Sequence, residues 1–277
     1  MSYSPSLGSP PPIDIFDFKA HAAEAAAKAA AEAIRSCLQS RPEARIMVGT
    51  GNSQLEMIGF LTDEPGIDWS RVEAFHLDEY VGIAADHPAS FRRWIRTQFA
   101  EKVRPKVTNY LEGDARDLPA MLDRYAGLLT AAPVDLAFVG IGENGHIAFN
   151  DPHAADFQDP AMIKRVALDD ACRRQQVGEG HFPGLGSVPK EAVTVTCPGL
   201  YRARRWICCV PEHRKAHAIR GALEGPVTTA CPGSLVQKHP AASVFLDANS
   251  ATLLSPGFVK TKCRVHASNS PSVLRAG

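Results

Sequence analysis

The chain has 277 residues, with 30 Lys and Arg against 30 Asp and Glu, so its formal net charge is zero. That length allows a substantial buried core. The charge balance argues against bulk electrostatic binding to nucleic acid or to an anionic membrane, but leaves room for a small anionic ligand in a locally basic pocket.

The N-terminal stretch, with Pro10-Pro11-Pro12, lacks the basic and apolar regions of a signal peptide and is read as a flexible arm over residues 1–15. Phe18 to Leu38 is dense in Ala, with Glu24, Lys28 and Glu32 spaced four apart, and this predicts a helix supported by charge pairs. Arg45 to Val48 predicts a strand that runs into the loop Gly49-Thr50-Gly51-Asn52-Ser53, after which a helical pattern resumes from Gln54 to Leu61. Val72 to Leu77 predicts a second strand, and Ser90 to Phe99 a helix with Ser90 as N-cap. Leu118 to Leu129 follows as a helix and Val134 to Val139 as a strand. Beyond a long polar segment, Ala192 to Val195 and Trp206 to Val210 read as strands, Arg214 to Leu223 as a helix, and Ser243 to Leu246 as a last strand. The Ser-rich stretch 260–277 is read as a flexible tail, leaving residues 16–259 as one α/β domain. No segment is long and apolar enough to span a bilayer. The seven cysteines are odd in number and show no C-x-x-C spacing, so neither a disulfide framework nor a zinc site is expected, and a reducing cytoplasm fits best.

Strands alternating with helices imply a mostly parallel sheet with helices on both faces, and ligands in such sheets sit beyond the carboxyl ends of the strands. Four stretches there could carry chemistry. Gly49 to Ser53 could present backbone N–H groups and hydroxyls to an anion, or be an ordinary capped turn. Asp78 and Glu79, adjacent at a strand end, should point to opposite sides, one as a base and the other holding structure; a solvated acidic loop is the plainer alternative. Gly140-x-Gly142-x-x-Gly145 has the letters of a dinucleotide fingerprint, but Asn150-Asp151-Pro152 stops the long helix that such a site needs. A histidine and a carboxylate in that loop instead suit proton transfer near neutral pH. Arg173-Arg174 and Arg214-Lys215 could complete a phosphate site, or be solvated helix surface.

Read together, these segments resemble the glucosamine-6-phosphate deaminases. The resemblance rests on Phe75-His76-Leu77-Asp78-Glu79-Tyr80-Val81-Gly82, on His87 to Phe91, on Gly140 to Pro152, on Val188 to Thr194 and on Lys215 to Gly225, in the family's order. It implies a Rossmann-like α/β fold and conversion of glucosamine 6-phosphate and water to fructose 6-phosphate and ammonia without a cofactor or metal. It also implies self-association. By the same resemblance His146 opens the pyranose ring, Asn144 and Asp151 orient it, and Asp78 moves a proton from C2 to C1. The phosphate would rest on residues 49–53 with Lys215 as counter-charge, and Glu79 and Gly145 would complete the substrate site. Residues 165–190 correspond to a lid, from which Arg173 or Arg174 would reach the phosphate. Asp151 stands where the family usually has Glu, and His76 where Asn is common.

Overall fold

The computed structural model describes residues 11–178 and 180–267. Its strands are β1 (Ile13–Phe16), β2 (Ala44–Val48), β3 (Val72–His76), β4 (Asp78–Tyr80), β5 (Val107–Asn109), β6 (Leu136–Val139), β7 (Ile163–Ala167), β8 (Glu191–Val195), β9 (Arg205–Cys209), β10 (Ala242–Asp247) and β11 (Cys263–His266). The helices are α1 (Lys19–Ser40), α2 (Asn52–Asp63), α3 (Phe91–Ile95), α4 (Glu101–Val103), α5 (Leu118–Ala131), α6 (Asp170–Gly178), α7 (Cys197–Tyr201), α8 (Ala216–Glu224) and α9 (Pro256–Lys262). A π-helical turn, Arg96–Ala100, joins α3 to α4.

Eight strands form one sheet in the order β11-β1-β10-β9-β6-β2-β3-β5, and every pair in it is parallel. Both faces of this sheet are buried, as a parallel sheet requires. Side chains alternate across it with period two. Ile46, Phe138, Ile207 and Phe245 pack on the side covered by α1 and α2. Met47, Val139, Trp206 and Val244 pack on the side that holds α5 and α8. The adjacent Cys208 and Cys209 follow the same rule and lie buried on opposite faces. In α1 the buried seam is Ala22, Ala23, Ala26, Ala27, Ala30 and Ala31. Alanine combines high helix propensity with a side chain short enough to let the helix axis lie close to its neighbours.

A smaller sheet, β4-β8-β7, is antiparallel. The segment predicted over Ala192 to Val195 therefore does not join the main sheet. Its register pairs Asp78 with Thr194 and Tyr80 with Ala192.

Both ends of the chain differ from expectation. Ile13 to Ile15, assigned by sequence to the arm, form with Phe16 a strand seated between β10 and β11. The tail boundary moves too, because Lys260 lies in α9 and Cys263–His266 forms β11. What the sequence hid is a charge pairing. Asp14 on β1 is buried, with His266 Nε2 at 2.6 Å and the Arg264 guanidinium also against it, and Phe16 stacks on the His266 ring. Residues 1–10 and 268–277, the remainder of the expected arm and tail, lie outside the described residues.

Candidate active site

The strand order reverses at β2: the chain runs outward through β3 and β5, then returns to the other side of β2 as β6. Such a reversal opens a crevice at the carboxyl ends of the flanking strands. A cleft lies there. Gly49, Thr50 and Gly51 line it after β2, Asp78 after β3, Gly142 and His146 after β6, and Arg214 with Lys215 after β9. Gln175, Gln176 and His181 close it from the side of α6.

Asp78 opens β4 and projects into the cleft. Burial, reinforced by the neighbouring charges of Glu79 and Asp151, pushes its carboxyl up to about 8. Just before it, β3 ends at His76, whose backbone N–H and C=O both meet the Tyr125 hydroxyl at 2.7 Å. The His76 ring is fully buried; desolvation, with Arg92 nearby, drives it down to about 3, so it stays neutral, and its Nδ1 accepts from Leu111 N at 3.3 Å. Its role is to fix the strand end.

His146 Nδ1 lies 3.1 Å from Asp151 Oδ1, with the imidazole 13% exposed and the carboxylate 1%. Asn144 joins the two: its Nδ2 donates to Asp151 Oδ1 at 2.7 Å, and its Oδ1 accepts from His146 N at 3.1 Å. Burial alone would raise the Asp151 carboxyl, but His146 and Asn144 outweigh it and hold the group below its ordinary value. Asn144 and Asp151 thus stand behind the imidazole rather than in the cleft wall. The side chain of Asp151, one methylene shorter than Glu, still reaches it.

The loop is shaped by close approach. Gly145, at φ 86°, turns the chain, its N–H donating to Gly142 O at 3.0 Å and its C=O accepting from Gly233 N at 2.7 Å. A Cβ on Gly142 would fall 2.1 Å from the His146 ring. Gly142→Ala is therefore expected to leave circular dichroism and melting temperature close to wild type while displacing the imidazole. An ångström of misplacement should lower kcat by about 100-fold. Ala148, in the cleft wall, also takes a left-handed φ of 49°, a cost of order 1 kcal/mol carried by a well-packed loop.

One strand holds both halves of the site. Asp78 pairs with Thr194 on β8, whose Oγ1 accepts from Phe149 N at 3.1 Å. Next along β8, Val195 C=O accepts from Asn150 Nδ2 at 2.9 Å. The Asp78 segment and the His146 loop therefore hang from adjacent residues of β8.

Other expected site residues fall elsewhere. Glu79 faces away from the cleft, buried on the N-terminus of α3. Arg173 donates to the carbonyls of Leu185 and Val188 at 2.6 and 3.2 Å and pairs with Asp170, while Arg174 faces solvent. Neither lines the cleft, because the helical period turns Cys172 and Gln176 inward and the two arginines aside. Asn52 and Ser53 form the first turn of α2; their side chains lie outside what the structure describes. Sequence reading did not single out Gln175, Gln176 or His181. Among the described residues no group of three or more His, Cys, Asp or Glu is placed to hold a metal ion, and no helix is long and apolar enough to cross a membrane.

Residues 17–245 match the sequence profile of the glucosamine-6-phosphate isomerases/6-phosphogluconolactonases. The chain belongs to this family. It is 36% identical over 232 residues to a glucosamine-6-phosphate deaminase of Pseudarthrobacter chlorophenolicus, covering 82% of this chain and 88% of that one. A deaminase of the same name from Listeria innocua is 32% identical over 230 residues, covering 83% and 96%. Among solved structures, a monomeric glucosamine-6-phosphate deaminase superposes with a TM-score of 0.79 at 26% identity, over 87% of this chain and 99% of that one. A 6-phosphogluconolactonase from Shewanella baltica shares the fold, with a TM-score of 0.69 at 21% identity over 88% and 100%. The Rossmann-like α/β class expected from sequence is thus the class observed.

Proposed function

We propose that the chain converts glucosamine 6-phosphate and water to fructose 6-phosphate and ammonia, as an aldose–ketose isomerising deaminase. The observation that carries this reading is the convergence of Asp78, His146 and Lys215 on one cleft from loops after three different strands. The names of the relatives support it.

The phosphate is assigned to the glycine-loop amides at the N-terminus of α2, where backbone N–H groups and the helix dipole favour an anion. Lys215, only 4% exposed, and Arg214 flank that end of the cleft. His146, steadied by Asp151 and Asn144, moves the proton at the ring oxygen that opens the pyranose. Asp78 then takes the proton from C2 and returns it at C1. The resulting 2-imine adds water and releases ammonia, leaving the ketose. A carbon acid next to an aldehyde needs a fixed base, and burial makes Asp78 a stronger base than a solvated carboxylate.

The same burial bears on the choice of substrate. A carboxylate held far above its ordinary range gains from a cation placed beside it. The C2 amino group of an amino sugar supplies one next to the proton to be removed; a lactone does not. Ammonia release from glucosamine 6-phosphate tests the reading directly. Hydrolysis of 6-phosphogluconolactone without any ammonia release would overturn it.

Lys215→Ala is expected to raise KM about 10- to 100-fold, the loss of one charge-assisted hydrogen bond of about 1.5–3 kcal/mol, with kcat changed only a few-fold. Steady-state kinetics with the phosphorylated and unphosphorylated sugar check it, since the unphosphorylated sugar should not feel the substitution. A cytoplasmic setting and self-association belong to the same reading. Light scattering tests the second, and the structural relative described as monomeric makes a single chain the outcome to set against it.

A further inference from the structure

Glu79 is a buried acid that the reaction as derived does not use. Its carboxylate has no exposed surface. It accepts four hydrogen bonds: from Tyr80 N at 2.9 Å and Phe91 N at 3.2 Å on Oε1, and from Ser90 Oγ at 2.9 Å and Arg92 N at 2.8 Å on Oε2. Three of these donors open α3, and the fourth is the next residue of β4 itself. Burial pushes the Glu79 carboxyl up, and the three backbone N–H groups and the hydroxyl work against that rise by favouring its charged form. Nothing in this arrangement binds a ligand. What it joins is the three-residue strand that carries Asp78 to a helix packed beside it.

The three side chains of β4 divide the work. Asp78 enters the cleft, Glu79 the start of α3, and Tyr80 a buried aromatic cluster with Phe91, Phe149 and Phe182, from which its hydroxyl donates to Gln176 at 2.6 Å. The back of the strand is closed by Gly113, where a Cβ would meet Tyr80 O at 2.0 Å. With backbone on both sides, β4 cannot rotate, and the alternation of side chains fixes which carboxylate reaches the cleft.

We propose that Glu79 is a positioning residue of the reaction, whose carboxylate, sealed on the N-terminus of α3, holds Asp78 in the cleft and sets a second acid beside it. The proposal rests on the function assigned above. The charged groups that face Asp78 bear it out. Glu79 on its own strand and Asp151 beyond it both oppose its ionisation. Tyr125 from α5 and Cys172 from α6 stand near it as neutral groups, both pushed up chiefly by burial. His146 and Lys215 share the cleft with it. Of the two repelling carboxylates, Glu79 acts on Asp78 more strongly than Asp151, which faces His146, and the four donors to Glu79 are all uncharged groups.

The experiment compares wild type with Glu79→Gln, following kcat, KM and the pH profile of kcat/KM, and separately the 13C titration of the Asp78 carboxyl. Removing the charge should move the acidic limb and the 13C midpoint toward lower pH by half a unit or more, and lower the plateau kcat by about two- to threefold with KM little changed, as expected for a weaker base. Should Glu79→Gln fail to fold, Ser90→Ala removes one of the four donors and leaves the acid in place. Its carboxyl then binds a proton more readily, and the limb should move in the same direction by less. Unmoved 13C midpoints in the folded variants overturn the proposal, whatever the turnover. A wild type that releases no ammonia, with a midpoint that still moves, overturns the assigned function and leaves the coupling between the two acids standing.

Discussion

Asp78→Asn is expected to abolish ammonia release and, at alkaline pH, to raise the melting temperature of the empty protein. The asparagine amide keeps the shape of the carboxylate but cannot take the C2 proton, and loss of a positioned base should lower kcat by at least about 1,000-fold. The stability gain follows from the same burial. In the folded protein the Asp78 carboxyl is pushed up to about 8, so between its ordinary value and that point the native state binds more protons than the unfolded chain. Stability from this group therefore falls as pH rises through that window. The substitution removes the loss, which is of order a few kcal/mol once the acid is ionised in both states. Thermal melts at pH 9 should favour Asp78→Asn, and melts at pH 4 should not distinguish it from wild type. For the wild-type enzyme the same value sets the sign of the rate profile, with kcat/KM of the free enzyme rising through pH 8 as the base ionises.

His146→Ala should separate ring opening from proton transfer at carbon. The imidazole is positioned by Asn144 and Asp151, and Asp78 stands on a different loop. Turnover of the cyclic sugar phosphate should fall about 100-fold or more, while an acyclic analogue, already open, should keep most of its rate. Equal losses on both substrates would remove His146 from the ring-opening step. Asp151→Asn should lie between wild type and His146→Ala on the cyclic substrate, because it keeps the imidazole while weakening what orients it.

Much of this site was legible because each of its loops ends an apolar run. Val48, His76 and Val139 close buried strands, and the polar or glycine-rich residues that follow can only lie at the sheet's rim. The topological rule then brings those rims together. Direction was less legible than position. Strand alternation correctly separates Asp78 from Glu79, but the sequence does not say that the second carboxylate caps α3. Arg173 and Arg174 carry the right charge for a phosphate, yet a helix built around Cys172 and Gln176 turns both away. Gln175 and His181 have no local signal of their own and reach the cleft only through the packing of α6. The end strands were missed for another reason: β1 and β11 are four residues each, and both carry charged or polar residues whose partners lie at the far end of the chain.

That last pairing gives synthesis a direction. Ile13 lies in register with Val244 on one side and Cys263 on the other. The strands that present the reactive loops, β2, β3, β6 and β9, are neighbours within the sheet and need nothing from β1 to find one another. During translation the earliest-made strand must wait beside a sheet that is already forming, and it can dock only after nearly all the rest has left the ribosome. Closure of this margin joins segments far apart in the chain, at an edge of the sheet well removed from the cleft.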